Sequence, residues 1–317
     1  MKFNIKSILK IGLPLLLGVF LVYYSLSQIS INELIKYFKK ANYAYVFLGI
    51  FFGFLSHLSR AYRWRFQLEP MGYNIKFKNS LMAVFATYLI NYTIPRAGEV
   101  ARASILTNYE NVPFEKGIGT IVAERVADLV IMLFIIAITL VLEFEFIYSF
   151  LITKFNPKGI VSLLVIGLFL LLSVIIYVAR SKSKFAQKVK GFLEGLTEGV
   201  LSIFKMSKKW PFIFHTLFIW LMYLLMFYTT SFALPETSNV TIAALLIGFI
   251  AASFSIAATN GGVGSYPEAI VLAFTLFSIP ENPSRAFGWI MWSSQTVMLI
   301  VLGGLSLICL PILNRKR

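Results

Sequence analysis

The chain has 317 residues, of which 58% are hydrophobic and 14% are charged. Soluble domains carry about 25% charged residues, so this composition excludes an ordinary soluble enzyme and any disordered or collagen-like class. The chain is predicted to lie in a membrane. Its formal net charge of +15 is explained by basic residues in cytoplasmic loops and beside anionic headgroups, so no nucleic-acid partner is expected.

Six apolar runs are long enough to cross a bilayer, which takes about 20 apolar residues of helix. They cover residues 8–27, 43–59, 117–142, 159–179, 211–234 and 286–311. The first run has the basic flank of a signal peptide, but it is too long and lacks a small-residue cleavage site. It is therefore predicted to be retained.

Basic residues predict which loops face the cytoplasm. They are concentrated in segments 2–10, 60–78, 180–209 and 315–317. All four segments are predicted to be cytoplasmic, which places both termini inside an inner (plasma) membrane and makes residues 180–210 a cytoplasmic loop. Apolar residues at near-helical intervals predict an interfacial amphipathic helix in that loop and a shorter one at 31–40 on the other face.

Two further apolar regions, about 80–116 and 240–285, are interrupted by Pro, Gly and polar residues. Counting crossings, the first region starts and finishes inside, and the second starts and finishes outside. Each is predicted to be a re-entrant helical hairpin, the two entering from opposite faces as in inverted-repeat transporters. A pair of tilted full helices is the alternative. Broken backbone at membrane depth is tolerated only where protein buries it or it lines a wet cavity, so both interruptions predict an internal site.

The predicted fold is thus an all-α polytopic membrane protein with six full transmembrane helices and two oppositely inserted re-entrant hairpins. The whole chain, 1–317, is predicted to form a single integral membrane domain.

The first interruption, residues 91–102, contains the residues that suit an anion. Pro95 fits a first helical turn and leaves the amides around Arg96 and Gly98 free to face a ligand at a helix N-terminus. Arg96 and Arg102 would add bidentate donors. Alternatively, Arg96, Glu99 and Arg102 satisfy one another on one helical face.

The second interruption, residues 259–268, is rich in glycine. Its candidate binding residues are Asn260, Gly261, Gly262, Gly264 and Glu268. Glycine lets the backbone approach a ligand closely, although Ser265 with Glu268 also matches a capping box that would merely start a helix. Aligning Thr93 with Thr259 places Gly98 on Gly264, which is a weak internal repeat.

A third polar cluster, Glu124, Arg125 and Asp128, lies within the 117–142 run. Glu124 and Asp128 share a helical face, and Arg125 can pair with Asp128. The cluster either faces the site or forms a salt-bridged group at headgroup depth.

Other polar residues have structural interpretations. The segment with Arg60, Arg63, Trp64 and Arg65 is typical of an interface anchor. The two histidines are single and in apolar surroundings, so no metal is expected, and no cofactor motif is present.

Residues 94–102, 119–128 and 261–268 resemble the signature of the lysylphosphatidylglycerol synthase transmembrane-domain family, also called flippase-like. The resemblance covers nearly the whole chain. It implies that Arg96, Glu99 and Arg102 match the first motif, Glu124, Arg125 and Asp128 the second, and Gly264 with Glu268 the third. In the multiple peptide resistance factor branch, such a domain moves an aminoacylated phospholipid between leaflets, and a separate soluble domain synthesises it. This chain ends at Arg317 directly after its last membrane run, so synthase activity is not expected.

The primary hypothesis is a lipid translocase whose partner is a membrane phospholipid with an anionic or aminoacylated headgroup, held by the residues named above. No ATP-binding motif is present, so facilitated movement or coupling to an ion gradient is predicted. Two alternatives stay open. One is an intramembrane transferase on a lipid-linked substrate with Glu99 or Glu124 as general base, and the other is a non-catalytic membrane partner protein. The sequence also leaves the oligomeric state open, including a homo-oligomer.

Overall fold

A computed structural model describes residues 5–94, 97–154, 157–181, 183–191, 194, 203 and 206–315. Throughout these residues the regular structure is helical, without a β-strand, which confirms the all-α prediction. The chain divides into two compact units, Met1–Ile121 with Ser207–Arg317, and Val122–Met206. The single integral membrane domain over 1–317 stays a prediction.

The helices are numbered in chain order, and several of them begin at a polar cap. Ser30 accepts a hydrogen bond from the amide of Glu33, and Thr241 accepts one from Ala244, which satisfies amides that have no partner inside the helix. The helices are α1 (Ile5–Ser27), α2 (Ile31–Lys40), α3 (Tyr43–Leu68), α4 (Phe77–Thr93), α5 (Ala97–Glu110), α6 (Phe114–Leu142), α7 (Phe144–Lys154), α8 (Pro157–Arg180), α9 (Lys184–Gly191), α10 (Lys209–Ser231), α11 (Ile242–Ala258), α12 (Ser265–Thr275) and α13 (Glu281–Leu313).

Among the described residues, four helices are long and apolar enough to cross a membrane. They are Tyr43–Met71, which is α3 with a 3-10 turn added, Phe114–Leu142, Lys209–Ser231 and Glu281–Leu313. The number rises to six if each of two bent pairs forms one span, namely Pro14–Ser27 with Ile31–Lys40 and Val165–Arg180 with Lys184–Gly191. These six positions match the six predicted runs, and the chain is a polytopic membrane protein.

One predicted boundary differs from the structure. The last helix begins at Glu281, before the predicted start at 286, because Pro280 is extended and the polar residues that follow it already form the first turn. The predicted run 8–27 lies within α1, and the chain turns by 83° from Pro14–Ser27 into α2. Residues 31–40 do form the predicted helix, whereas Phe192, Leu193 and Leu196 of the other predicted amphipathic helix lie outside the described residues.

Helices α4 and α5 form an antiparallel pair, here called hairpin 1. At one end, Gly98 packs so closely against the backbone of Thr87 that a Cβ at this position would clash with the Thr87 carbonyl oxygen. At the other end, the amide of Asn79 donates to the carboxylate of Glu110. The helix breaks at Ile94, which is extended (φ −129°, ψ 113°), because a residue that precedes a proline disfavours the helical region.

Helices α11 and α12 form a second antiparallel pair, hairpin 2. Ser255 and Ser265 meet near the break, with 2.6 Å between their hydroxyl oxygens, and Gly248 packs against the ring of Phe274 further along. The break contains Gly261, Gly262 and Gly264 with φ of +68°, +80° and +68°. Such left-handed backbone is accessible to glycine at little cost.

The 33-residue helix α13 contacts both hairpins, one after the other along its length. Its first half packs on hairpin 2 and its second half on hairpin 1, so the broken tips of the two hairpins meet near its middle. The hairpins therefore approach from opposite ends of α13. In order along α13, the contacts are Gly288 with Pro267, Trp292 with Gly261, Thr296 with Tyr92, Gly303 with Leu89, and Asn314 with Asn79.

Contacts between loops agree with the predicted grouping of loops by side. Lys208 pairs with Glu69, joining two segments predicted to be cytoplasmic. Lys40 pairs with Glu236 at 2.7 Å, joining two segments predicted to be outside. The insertion of the hairpins from opposite membrane faces and the cytoplasmic location of the termini stay predictions.

Candidate functional site

The tips of the two hairpins meet through an aromatic side chain and a glycine. A Cβ added to Gly261 would lie 2.5 Å from the ring of Tyr92, so this close approach requires glycine. Trp292 donates from its indole nitrogen to the carbonyl of Gly261 at 2.8 Å. The hydroxyl of Tyr92 lies 3.1 Å from that of Thr296. The two interruptions that the sequence marked are thus brought together.

The tip of hairpin 1 holds two of the predicted binding residues. The amide of Gly98 donates to the side-chain carbonyl of Asn91 at 2.8 Å, so one free amide of the α5 N-terminus is already satisfied within the hairpin. The amide nitrogen of Asn91 lies 3.4 Å from the carboxylate of Glu99. Pro95 and Arg96, which the sequence placed at the same tip, lie outside the described residues.

The tip of hairpin 2 is lined by hydroxyl groups. Ser265 lies within hydrogen-bond distance of Ser255 at 2.6 Å and of Thr259 at 3.0 Å, and Thr259 accepts from the amide of Gly262 at 3.1 Å. Beside them, the side-chain nitrogen of Asn260 is buried without a hydrogen-bond partner. A donor in that position suits an acceptor oxygen of a ligand.

Glu268 of hairpin 2 accepts three side-chain hydrogen bonds. Arg285 of α13 donates to both of its carboxylate oxygens, at 2.8 and 3.2 Å, and Ser25 of α1 donates to one of them at 2.6 Å. The capping-box interpretation of Glu268 is therefore wrong, because α12 has Gly264 at its N-cap without a side-chain hydrogen bond. The carboxylate faces α13 and α1 rather than its own helix end.

Arg102 lies in the interior beside Trp64. Its guanidinium carbon lies 3.7 Å from the centre of the Trp64 ring, a cation–π contact, and the residue is 3% exposed. The indole nitrogen of Trp64 donates to Thr120 at 2.8 Å. Residues of the first and second sequence motifs thus share one tryptophan.

Two further arginines, Arg60 and Arg63, are buried on α3. Their exposed fractions are 4% and 0%, and Arg63 donates to Thr216 of α10 at 2.8 Å. The prediction of a snorkelling interface anchor is wrong for these two residues and for Trp64, which is also buried, since a snorkelling side chain keeps its polar end in the headgroup layer. An Arg-rich helix end has the same sequence pattern whether its side chains lie in the headgroup layer or in the protein interior.

The third predicted cluster belongs to the second unit. Glu124 and Asp128 are buried, and Arg125 lies 4.0 Å from Asp128, which confirms that predicted pair. Arg125 is the more exposed partner, with 46% of its side chain accessible. Within the described residues, no three His, Cys, Asp or Glu side chains are grouped so that they could hold a metal ion.

Ser25 and Arg285 were not among the predicted site residues, and Tyr92 had no predicted role. Arg285 had a detectable signal, because a charged residue close to a predicted span requires a partner, and Glu268 is a carboxylate near the same predicted end. Ser25 and Tyr92 had none, since a serine and a tyrosine are ordinary in such helices.

Comparison with known proteins agrees with this architecture. The family described as the lysylphosphatidylglycerol synthase TM region matches residues 11–304. The chain belongs to this family. Similarity also extends to a UPF0104 membrane protein of Methanocaldococcus jannaschii, which is 26% identical over 313 residues, covering 88% of this chain and 89% of that protein. No solved structure matches the chain. As a member of the lysylphosphatidylglycerol synthase TM family, the chain is an integral membrane protein, and the two hairpin tips lie within the matched region.

Proposed function

We propose that this protein is a lipid translocase that moves a phospholipid headgroup past the meeting point of its two hairpins. The observation that carries the proposal is the contact between Tyr92 and Gly261 beside the middle of α13. Opposed half-helices that end inside a membrane protein are the arrangement in which transporters bind substrate. Non-helical backbone within the hydrocarbon layer is tolerated only where it is buried in protein or lines a water-filled cavity.

The positive charge near the tips favours an anionic part of the headgroup, such as phosphate. Helices α5 and α12 both begin at the meeting tips, and helix N-termini carry partial positive charge. Arg60, Arg63 and Arg102 are each buried in the same unit as the tips. Guanidinium groups bind phosphate through two parallel hydrogen bonds, and buried charges in a membrane protein mark function.

The carboxylate of Glu99 extends the proposal to headgroups that also carry an amine. Glu99 lies at the tip of hairpin 1, where the side-chain nitrogen of Asn91 is 3.4 Å from it. An aminoacylated phospholipid combines phosphate with ammonium, so it can use both kinds of side chain.

Exchange of labelled lipids between leaflets tests the proposal. Liposomes with purified protein receive headgroup-labelled phosphatidylglycerol or lysyl-phosphatidylglycerol, and the label that remains accessible to an external quencher is followed over time. We expect exchange well above that of protein-free liposomes, reduced about tenfold or more by Arg102→Gln and by Glu99→Gln. Tenfold corresponds to about 1.4 kcal/mol of transition-state stabilisation.

A matched control is Arg65→Gln, because Arg65 lies at the same end of α3 as Arg63 but is 28% exposed and pairs with Glu69 at 3.9 Å. It removes the same charge away from the tips and is expected to leave exchange unchanged. Equal exchange with and without folded protein, for both lipids, would contradict the proposal for these lipids and direct attention to product formation from lipid-linked substrates.

A further inference from the structure

Helix α1 covers the tip of hairpin 2. The Cα of Gly264 lies so close to the backbone of Leu21 and Val22 that a Cβ has no room there. One turn earlier, a Cβ added to Gly18 would lie 3.7 Å from the Cβ of Val263. The two segments therefore touch along a seam at Gly18 and Gly264, and at Gly264 the contact is backbone against backbone.

Ser25 fastens the other end of this seam. Its hydroxyl donates to Glu268 at 2.6 Å and accepts from the indole nitrogen of Trp289 at 3.2 Å, and the residue is fully buried. The opposite face of α1 is open, since Leu16, Val19 and Tyr23 are 68%, 67% and 73% exposed. Among the described residues, Ser25 thus makes the polar contacts between α1 and its neighbours at this seam.

The other described contacts of α1 are with hairpin 2 and, through the following loop, with α2. Among the described helices, α12 is its main packing partner. At its C-terminal end the chain turns through residues 28–30 into α2, which is held to α13 where Asn282 donates to Glu33 at 2.8 Å. The C-terminal end of α1 is therefore fixed through α2, and in its described part the face that packs on hairpin 2 is joined through Gly18, the backbone at Leu21 and Val22, and Ser25.

Behind α1 lies a pair of opposite charges. Arg285 is 2% exposed, and its guanidinium holds both oxygens of Glu268. If α1 moves aside, Glu268 loses Ser25 as a hydrogen-bond donor, and an ammonium or hydroxyl group of a lipid headgroup can take its place on the carboxylate.

We propose that the seam between α1 and hairpin 2 is the entry site for a lipid headgroup, and that α1 is the movable wall of this site. The inference rests on the proposed function and adds where the lipid enters and which residues it meets first. Release of Ser25 from Glu268 lets α1 pivot about residues 28–30. The tip of hairpin 2 and the Glu268–Arg285 pair then open toward the surrounding lipid.

A disulfide across the seam tests whether α1 must move. The Cβ separation of 3.7 Å between positions 18 and 263 matches that of natural disulfides. Gly18→Cys with Val263→Cys is made in a Cys309→Ser chain, so that the two new thiols are the only ones. We expect oxidation to lower lipid exchange at least tenfold and a reductant to restore it. Each single variant, treated with the same oxidant, controls for the substitutions themselves.

Exchange that continues at the unlocked rate, with the disulfide shown to be complete, would overturn the entry site and leave the translocase proposal standing. A second measurement does not depend on transport. Spin labels at Tyr23→Cys and Leu272→Cys, both on exposed positions, report the separation of α1 from α12 in lipid nanodiscs.

We expect two distance populations between these labels, and we expect Ser25→Ala to increase the longer one several-fold. One unchanged population in both chains would overturn the movable wall. Two populations together with absent lipid exchange would support the wall and contradict the translocase, so the two failures are distinguishable.

Discussion

Hairpins 1 and 2 reach the same point beside α13 by different chemistry. Hairpin 1 breaks at an extended residue before a proline and holds its tip with a neutral contact between Asn91 and Gly98. Hairpin 2 breaks at three glycines in left-handed conformation and is held by an ion pair with α13. Two opposed hairpins can therefore occupy equivalent positions beside one helix and still be held by interactions of different strength. A neutral hydrogen bond and an ion pair need different free energies to break.

The largest effect is expected from removing the charge that holds hairpin 2. Arg285→Met leaves the partly buried carboxylate of Glu268, 16% exposed, without its arginine, and breaking a buried pair costs about 3–5 kcal/mol. We expect the thermal unfolding midpoint of the purified protein in detergent to fall sharply. The double variant Glu268→Gln with Arg285→Met removes the uncompensated charge and should recover part of the loss. A double variant as unstable as the single one would contradict this account.

The contact between the hairpins predicts the next effect. Gly261→Ala places a Cβ against the ring of Tyr92 and also forces alanine into a left-handed backbone, so we expect a loss of about 2–4 kcal/mol from both costs. Gly262→Ala is the matched control, because its φ is +80° but its nearest neighbours lie 3.2 Å or more from the added atom. Chemical denaturation should show Gly261→Ala to be the worse of the two. Equal losses of stability in the two variants would mean that the contact with Tyr92 does not contribute to stability.

Hairpin 1 is expected to respond more weakly. Asn91→Ala leaves the amide of Gly98 without its partner at the tip, and a lost hydrogen bond of this kind costs about 1–2 kcal/mol. Thr93→Ala is the control, since the exposed hydroxyl of Thr93 bonds back to its own helix. Protease sensitivity and hydrogen exchange of residues 90–100 should rise for Asn91→Ala and stay unchanged for Thr93→Ala. A loss as large as that of Arg285→Met would remove the contrast between the hairpins.

The smallest effect concerns a pair on neither hairpin, between Lys40 and Glu236. Burial alone would raise the pKa of Glu236, but the hydrogen bond and charge of Lys40 outweigh it and hold the pKa below its ordinary value of 4.5. A carboxyl group with a lowered pKa adds stability above its unfolded pKa and loses it as the pH falls through the folded pKa.

Glu236→Gln should therefore cost less than about 1 kcal/mol near neutral pH, because the pair is solvent-exposed, and the cost should vanish once the pH has fallen below the lowered pKa of Glu236. Unfolding midpoints of both proteins across this pH range measure the difference. A difference that persists in acid would have another cause.

Several features of the fold were predictable from local sequence. The apolar runs gave the long helices, and the interruptions at 91–102 and 259–268 gave the two broken tips, because proline and glycine act on the backbone of their immediate neighbours. The weak alignment of Thr93 with Thr259 pairs the last residue of α4 with the residue just after α11, so it differs from the helix ends by one position.

The partners across the fold were less predictable. Ser25 and Glu268 are 243 residues apart, and no local pattern distinguishes a serine that binds a distant carboxylate from one that bonds to its own helix. Trp64 illustrates the same limit, because an aromatic residue beside arginines suits both an interface and the interior. Only packing of α3 against its neighbours decides between the two.

The contacts along α13 fix the position of each hairpin relative to the other, because both hairpins bind to this one helix. Trp292 touches hairpin 2 and Thr296 touches hairpin 1, four residues apart and thus on the same side of the helix. One residue inserted between them would turn everything beyond it by about 100° and shift it by about 1.5 Å. Both hairpins could then no longer be seated together. Changes in chain length should therefore be acceptable in the loops of such proteins but not in this four-residue interval.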